Sequence, residues 1–272
     1  MVNPYIRITR PINCLMSALA VVLVGLISLG QNIVQNWLNL VLGIATVVLI
    51  AAGGNVINDY YDRDVDKINH PERPIPAGEI RPNIAVVYAA ILFALGILTS
   101  FLISTCALLI ASYAVVILLL YESSLKYEGF AGNVAISILV GMLFVFGGAI
   151  FGRMLLMIMF ALMAFFSNLA REIIKDVEDM SGDINRRTLP KKIGRYMAGM
   201  VAFLSTILAV SLSPIPYLYF SFSQYYLFAV MISDGIFIYA ALIQFKDPHR
   251  GQKYVKYGML MGLLSYLIGG LT

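Results

Sequence analysis

Charge is what this sequence lacks most. Lys, Arg, Asp and Glu make up 12% of its 272 residues, about half the roughly 25% of an ordinary soluble domain. Apolar residues fill 60% of the chain and the mean hydropathy is +0.84. A water-soluble fold of this length has no core large enough to hide so much apolar surface. Disorder is excluded as well, because disordered chains are polar and charged. The short alternating segments of a β-barrel are missing. The expected class is all-α: a polytopic membrane protein, one domain over residues 1–272.

Cysteine and histidine are also scarce. Cys14 and Cys106 lie in separate apolar stretches and do not have the spacing of a metal pair. Both read as membrane-core thiols. His70 and His249 sit near prolines in loops and read as surface residues. No A-x-A-like cleavage site follows the apolar run from Ile12, so no cleavable signal is expected.

What is present is apolar sequence in blocks of spanning length, about 20 residues each. Spans are expected near 12–30, 38–59, 83–102, 104–121, 133–151, 154–173, 196–213, 225–245 and 254–271, nine in all. The third and fourth come from one unbroken run, Asn83 to Tyr121. As a single helix it would reach roughly 58 Å, about twice the hydrocarbon thickness. It must therefore fold back, and the Ser100–Thr105 polar cluster is the place. With nine spans, 18 of the 19 Lys and Arg fall on one side, Arg153 being the exception. By the positive-inside rule that side is cytoplasmic, with the N-terminus inside and the C-terminus outside a cell membrane. The formal charge of +4 then reflects the inner membrane face and anionic lipid, not nucleic acid.

Fourteen of the fifteen acids lie on the same side, which an orientation signal does not require. Asn58, Asp62 and Asp66 are spaced i, i+4, i+8; Asp176, Asp179 and Asp183 follow a similar spacing. On continuing helices each set lines one face. Stacked carboxylates repel, and helix C-terminal ends disfavour them. Holding a cation removes both penalties. Mg²⁺ fits, since it takes oxygen ligands and is shared with phosphate oxygens. A Cys/His metal does not. Arg63, Lys67, Arg73, Lys175, Arg186, Arg187, Lys191 and Lys192 are interleaved, and Lys126 stands in a short loop. Carboxylates among such cations describe a site for Mg²⁺ bridging to a diphosphate. A solvated acidic loop is the plain alternative. Asp59 and Asp64 fall off the shared face and read as cap or salt-bridge partners. Asp234, alone in the eighth span, should face the protein interior.

These residues carry a resemblance. Asn58-Asp59-x-x-Asp62-x-x-x-Asp66 and Asp176-x-x-Asp179-x-x-x-Asp183, 117 residues apart, resemble the paired motifs of the UbiA superfamily of intramembrane prenyltransferases. Arg73 to Gly78 is similar to the family's Arg-Pro-x-Pro-x-Gly stretch, and the resemblance covers essentially the whole chain. It implies nine helices around a central cavity open to a cytoplasmic cap region, loops 60–82 and 174–195, and transfer of a prenyl group from a prenyl diphosphate with Mg²⁺. It implies Asn58, Asp62 and Asp66 as ligands of one ion and Asp176, Asp179 and Asp183 of a second, with Asp62, Asp66, Asp179 and Asp183 as the catalytic carboxylates. Arg63, Lys126 and Lys175 would then contact the diphosphate.

Physical chemistry runs parallel. Breaking an allylic C–O bond builds charge on the leaving diphosphate, which cations stabilise. The allylic cation needs water-free, electron-rich walls, for which Tyr60, Tyr61, Tyr121, Tyr127, Phe144 and Phe146 are candidates. Arg10 to Cys14, Phe146 to Ala149 and Lys253 to Met259 resemble those family members that add a second geranylgeranyl chain to geranylgeranylglyceryl phosphate, an ether-lipid precursor of archaea. A phosphorylated acceptor needs further cations, and Arg7, Arg10, Arg186, Arg187, Lys191 and Lys192, with Asn13, are candidates. The proton of the acceptor hydroxyl could pass to Glu172, Asp62 or the released diphosphate. The other readings are an aromatic acceptor in quinone synthesis, and, from another class, an Mg²⁺ or solute transporter. A transporter predicts polar residues and broken helices at the midplane, whereas here the polar residues crowd one end. The Asp-Gly-x-x-Ala-Arg lead of the CDP-alcohol phosphotransferases is absent. Besides donor, acceptor and lipid, no obligate protein partner is expected.

Overall fold

The computed structural model describes residues 3–181 and 187–272. They are overwhelmingly helical and contain no strand. In chain order the helices are α1 (Pro4–Ile8), α2 (Pro11–Leu29), α3 (Trp37–Tyr61), α4 (Arg63–Asn69), α5 (Pro82–Ile103), α6 (Thr105–Ser123), α7 (Phe130–Phe151), α8 (Met154–Glu178), α9 (Leu189–Ile193), α10 (Arg195–Leu212), α11 (Ile215–Tyr219), α12 (Gln224–Ile243) and α13 (Pro248–Leu271).

Helix starts follow local chemistry. Proline stands in the first turn of α2, α5 and α13, where its missing N–H would be unpaired anyway. The long apolar run folds back at Ser104, as expected from its length. Ser104 is extended (φ −169°), and its hydroxyl accepts the Ala107 N–H at 3.0 Å to cap α6.

Among the described residues, seven segments are long and apolar enough to cross a membrane, and the expected nine are not separated on that measure. The first, Pro11–Tyr61, runs 51 residues because a 3₁₀ turn, Gly30–Asn36, joins α2 to α3 without a non-helical break. The 24-residue α13 is not among the seven; Arg250, Lys253 and Lys256 stand in its first half.

The long helices form a closed ring. Each packs on the next in chain order from α2 to α13, and α13 packs back on α2. The closure is tight: a Cβ on Gly270 would lie 2.5 Å from Ile27 Cα. α8 also packs across the ring on α13, and Phe160 stacks on Tyr266 at 4.3 Å between ring centroids. Inside is a cavity of about 600 Å³, walled almost wholly by apolar side chains from α2, α3, α6, α7, α8, α12 and α13.

Candidate active site

The first acidic motif spans a joint between helices. α3 ends at Tyr61 and α4 begins at Arg63, yet the i→i+4 bonds continue, Asp62 N–H to Asn58 O at 2.9 Å and Asp66 N–H to Asp62 O at 2.8 Å. Two of the three side chains stay together and the third departs. The Asn58 amide donates to Asp62 Oδ2 at 2.9 Å and to Glu122 Oε2 at 3.0 Å. Asp66 is buried and turns to Arg73 at 2.6 Å. A buried carboxylate needs a paired cation, and Arg73 supplies it. Asp59, off that face, is 2% exposed and pairs with Arg10 and, at 3.5 Å, with Arg73. Asp64 pairs with Lys67 at 2.8 Å, and the Lys67 hydrogen bond and charge hold its carboxyl below the usual range.

Lys126 joins this cluster from the α6–α7 loop. Its ammonium donates to Asp62 Oδ1 at 2.5 Å and Glu122 Oε2 at 3.1 Å, and stands 5.3 Å from the Tyr127 ring centroid and 5.9 Å from that of Tyr61. Burial pulls its pKa down, but the bond to Asp62 and the charge of Glu122 outweigh burial and hold it above the ordinary lysine value. Arg63 lies over the Tyr60 ring at 4.7 Å and donates to Tyr60 O.

The second motif lies at the end of α8. Asp176 is buried and accepts from the Asn133 amide at 2.7 Å. A polar ladder runs on from it: Asn168 donates to Ser137 Oγ at 3.1 Å, and Ser137 Oγ donates to the backbone carbonyl of Asn133 at 2.7 Å. Glu172 pairs with Arg171 at 2.5 Å and lies 3.9 Å from Lys175. Asp179 opens a 3₁₀ turn, Asp179–Ser181. Asp183 and Arg186 lie outside the described residues. Arg187 stands beside the α6–α7 loop, where its N–H donates to Tyr127 O at 3.3 Å.

Tyr121, Lys126, Asn133, Glu172, Lys175 and Asp176 line a cleft of about 30 Å³ beside the second motif. Ile136 lines both this cleft and the large apolar cavity, so the two adjoin. Phe144 and Phe146 are buried in the cavity wall. The remaining candidates are more scattered. Arg7 pairs with Glu79 at 2.5 Å, Arg10 donates to Asn58 Oδ1 at 2.9 Å, Asn13 stands in the first turn of α2, and Lys191 and Lys192 end α9.

Among the described residues no three Asp, Glu, His or Cys side chains converge on one point. The donor set is carboxylate and amide oxygen from Asn58, Asp62, Asp66, Asp176 and Asp179, with no thiol beside them. That chemistry suits a hard cation such as Mg²⁺. Glu122 and Asn133 were not singled out from sequence. Each stands on a helix remote in sequence from the motif it touches, and the Asn133/Ser137 spacing inside an apolar span was the available signal.

The ring of apolar helices, the lipid-sized chamber and the acid-and-base cleft at its mouth define a membrane-embedded enzyme for an apolar substrate with an anionic head. Residues 18–264 match the model of the UbiA prenyltransferase family, and the chain belongs to that family. It is 39% identical, over 99% of its own length and 100% of the relative's, to a digeranylgeranylglyceryl phosphate synthase of Methanosphaera stadtmanae. A solved structure of digeranylgeranylglyceryl phosphate synthase superposes with a TM-score of 0.92 at 35% identity, covering 98% of both chains. A UbiA homolog of Archaeoglobus fulgidus bound to DMAPP and Mg²⁺ shares the fold, with a TM-score of 0.66 at 19% identity over 95% of this chain and 98% of that one.

Proposed function

We propose that this prenyltransferase moves a geranylgeranyl group from geranylgeranyl diphosphate to the glycerol hydroxyl of geranylgeranylglyceryl phosphate. The donor's allylic C–O bond breaks, diphosphate leaves with the electron pair, and the acceptor oxygen forms the ether bond and gives up its proton to Glu172, Asp62 or the released diphosphate. The observation that carries the reaction class is the junction at Ile136 of an apolar chamber with a cleft holding Lys126, Lys175 and Asp176. The acceptor rests on the full-length relatives named for that product.

Asn58, Asp62 and Asp66 would hold one Mg²⁺, and Asp176, Asp179 and Asp183 a second. Bound Mg²⁺ supplies positive charge to the leaving diphosphate; the Mg²⁺ of the Archaeoglobus fulgidus homolog supports this cofactor. Lys126, Lys175 and Arg63 bind the diphosphate oxygens. Tyr60, Tyr61, Tyr121, Tyr127 and Phe146 shield the allylic cation from water. Arg7, Arg10, Asn13, Arg186, Arg187, Lys191 and Lys192 remain the candidates for the acceptor phosphate; Arg10 would have to share its guanidinium with Asn58 and Asp59. The chain forms one domain in the cell membrane. α2 and α3 cross separately and α13 crosses last, giving nine spans with both motifs and the N-terminus on the cytoplasmic side.

The test is purified protein in detergent with Mg²⁺ and radiolabelled geranylgeranyl diphosphate, offered geranylgeranylglyceryl phosphate and 4-hydroxybenzoate in parallel. Labelled ether lipid, abolished by EDTA and by Asp62→Ala, is the expected result. Product on the aromatic acid alone would overturn the acceptor, and absence of donor binding would overturn the class.

A further inference from the structure

Among the residues that line the apolar chamber, one is an acid and none is a base. Asp234 stands midway along α12 in the chamber wall, and its Oδ2 accepts the Ser213 hydroxyl at 2.6 Å. Ser213 is 2% exposed, and its carbonyl accepts the Tyr226 hydroxyl at 2.6 Å. The carboxylate is therefore held from behind, at the end of α10. A carboxylate at this depth is expensive and functional by default.

Its position is remote from the cleft. From Ile136, where chamber and cleft meet, the chamber runs along α7 to Phe146, about 15 Å of helix. Along α12, Asp234 lies about 15 Å from Gln244, whose amide donates to Gly199 O near the motif-side end of α10. A chain anchored by its diphosphate in the cleft would bring its far end toward Asp234.

We infer that Asp234, fixed by Ser213, limits the length of prenyl chain that the chamber accepts. It is thus a specificity-determining residue for the transfer proposed above, and the inference rests on that reading. Every buried methylene adds affinity, so an apolar chamber alone favours the longest chain. A limit needs a surface that hydrocarbon covers only at a penalty. Covering a carboxylate strips its solvation and offers no partner in return. A chain long enough to reach Asp234 forfeits what its extra carbons gained, which is rejection by an unfavourable contact. A shorter chain leaves the chamber partly filled. If Asp234 served only to tie α12 to α10, its loss would weaken every donor alike.

The experiment is competition among farnesyl, geranylgeranyl and geranylfarnesyl diphosphates, with Mg²⁺ and geranylgeranylglyceryl phosphate, read as product ratios by mass spectrometry. Asp234→Ala should raise the geranylfarnesyl-to-geranylgeranyl ratio about ten-fold, the effect of about 1.4 kcal/mol, and leave the farnesyl ratio nearly unchanged. Asp234→Asn keeps a polar group but removes the charge, so it should move the ratio in the same direction and by less. Should Asp234→Ala fail to give a folded, monodisperse protein, Ser213→Ala, which frees the carboxylate to turn, replaces it and should move the same ratio several-fold. An unchanged ratio in the folded variants, or an equal fall for all three donors, would overturn the inference. Failure of the unsubstituted protein to transfer any prenyl group would instead overturn the function it rests on.

Discussion

Lys126 and Asp62 meet at 2.5 Å across 64 residues of chain. The contact ties the α6–α7 loop to the end of α3, and Glu122 completes it from one turn earlier on α6. The ammonium holds two carboxylates together at the mouth of the chamber, where the leaving diphosphate is proposed to bind.

Replacing Lys126 with Met should remove that charge and leave Asp62 and Glu122 facing each other. Loss of one partner from a buried pair costs about 3–5 kcal/mol, and Lys126 and Glu122 are both under a tenth exposed. Asp62 is more open, so we expect the low end. Loss of one donor to a developing anion costs roughly 100-fold in turnover. Both the thermal midpoint and the rate should therefore fall. Lys126→Arg should recover charge but not rate, because a planar fork does not replace a point charge. The pH dependence follows from the raised lysine pKa. A cation with a raised folded pKa contributes its full stability below the unfolded value, about 10.4, and loses it as pH rises through the folded one. The midpoint gap between native and Lys126→Met protein should be flat from neutral pH to about 9 and shrink above about 10.4. A gap that closes below pH 8 would contradict the pairing.

Asn133→Ala should act on the second motif without touching it. The Asn133 amide donates to buried Asp176 at 2.7 Å. Losing one donor to a buried carboxylate costs about 1–3 kcal/mol. A titration of activity against Mg²⁺ should show a raised requirement. Ser137→Ala, one step back along the ladder, should show a smaller rise in the same direction. An unchanged Mg²⁺ requirement in Asn133→Ala would detach Asn133 from the site.

Much of this architecture was legible because membrane helices are constrained one at a time. Each must satisfy its own backbone in lipid, so apolar length alone located α5 to α8, and excess length located the break at Ser104. The salt-bridge reading of Asp59 and Asp64 also needed only their place off the shared face of a helix continuing from α3 into α4. What sequence could not supply was partnership between distant helices. The i, i+4, i+8 spacing puts Asn58, Asp62 and Asp66 on one face, but not that Asp66 turns to Arg73 or that Glu122 joins Asn58. Sequence offers Arg7 and Arg10 as candidates for an acceptor phosphate, but not that Glu79 and Asp59 hold them. Those pairings depend on how the ring closes.

Ser104→Ala should test the fold-back alone. The Ser104 hydroxyl caps α6 through Ala107 N–H at 3.0 Å. Removing such a cap costs about 1 kcal/mol, which lowers the midpoint of a protein this size by about 2–4 °C. Turnover at a temperature well below the midpoint should be unchanged. A loss of turnover would mean that the α5–α6 turn communicates with the site.

Gly129 offers the sharpest test of how the two motifs are joined. It adopts φ +60° at the start of α7, and an added Cβ would lie 2.1 Å from Arg187 O and 2.7 Å from Thr188 Cα. The α6–α7 loop, which carries Lys126, is thus pressed against the chain returning from the second motif, and Arg187 N–H bonds Tyr127 O in the same place. Gly129→Ala must push these segments apart as well as bear the left-handed strain. Gly78 provides the control: it also has positive φ, +74°, but nothing lies within 4 Å of its Cβ position. Gly78→Ala should therefore cost only the conformational term, about 1–2 kcal/mol, with activity retained. Gly129→Ala should lower turnover by up to about 100-fold, since a misplacement of about 1 Å costs on that order. Equal effects of the two substitutions would show that the packing of this loop on residues 187–188 has no part in placing Lys126.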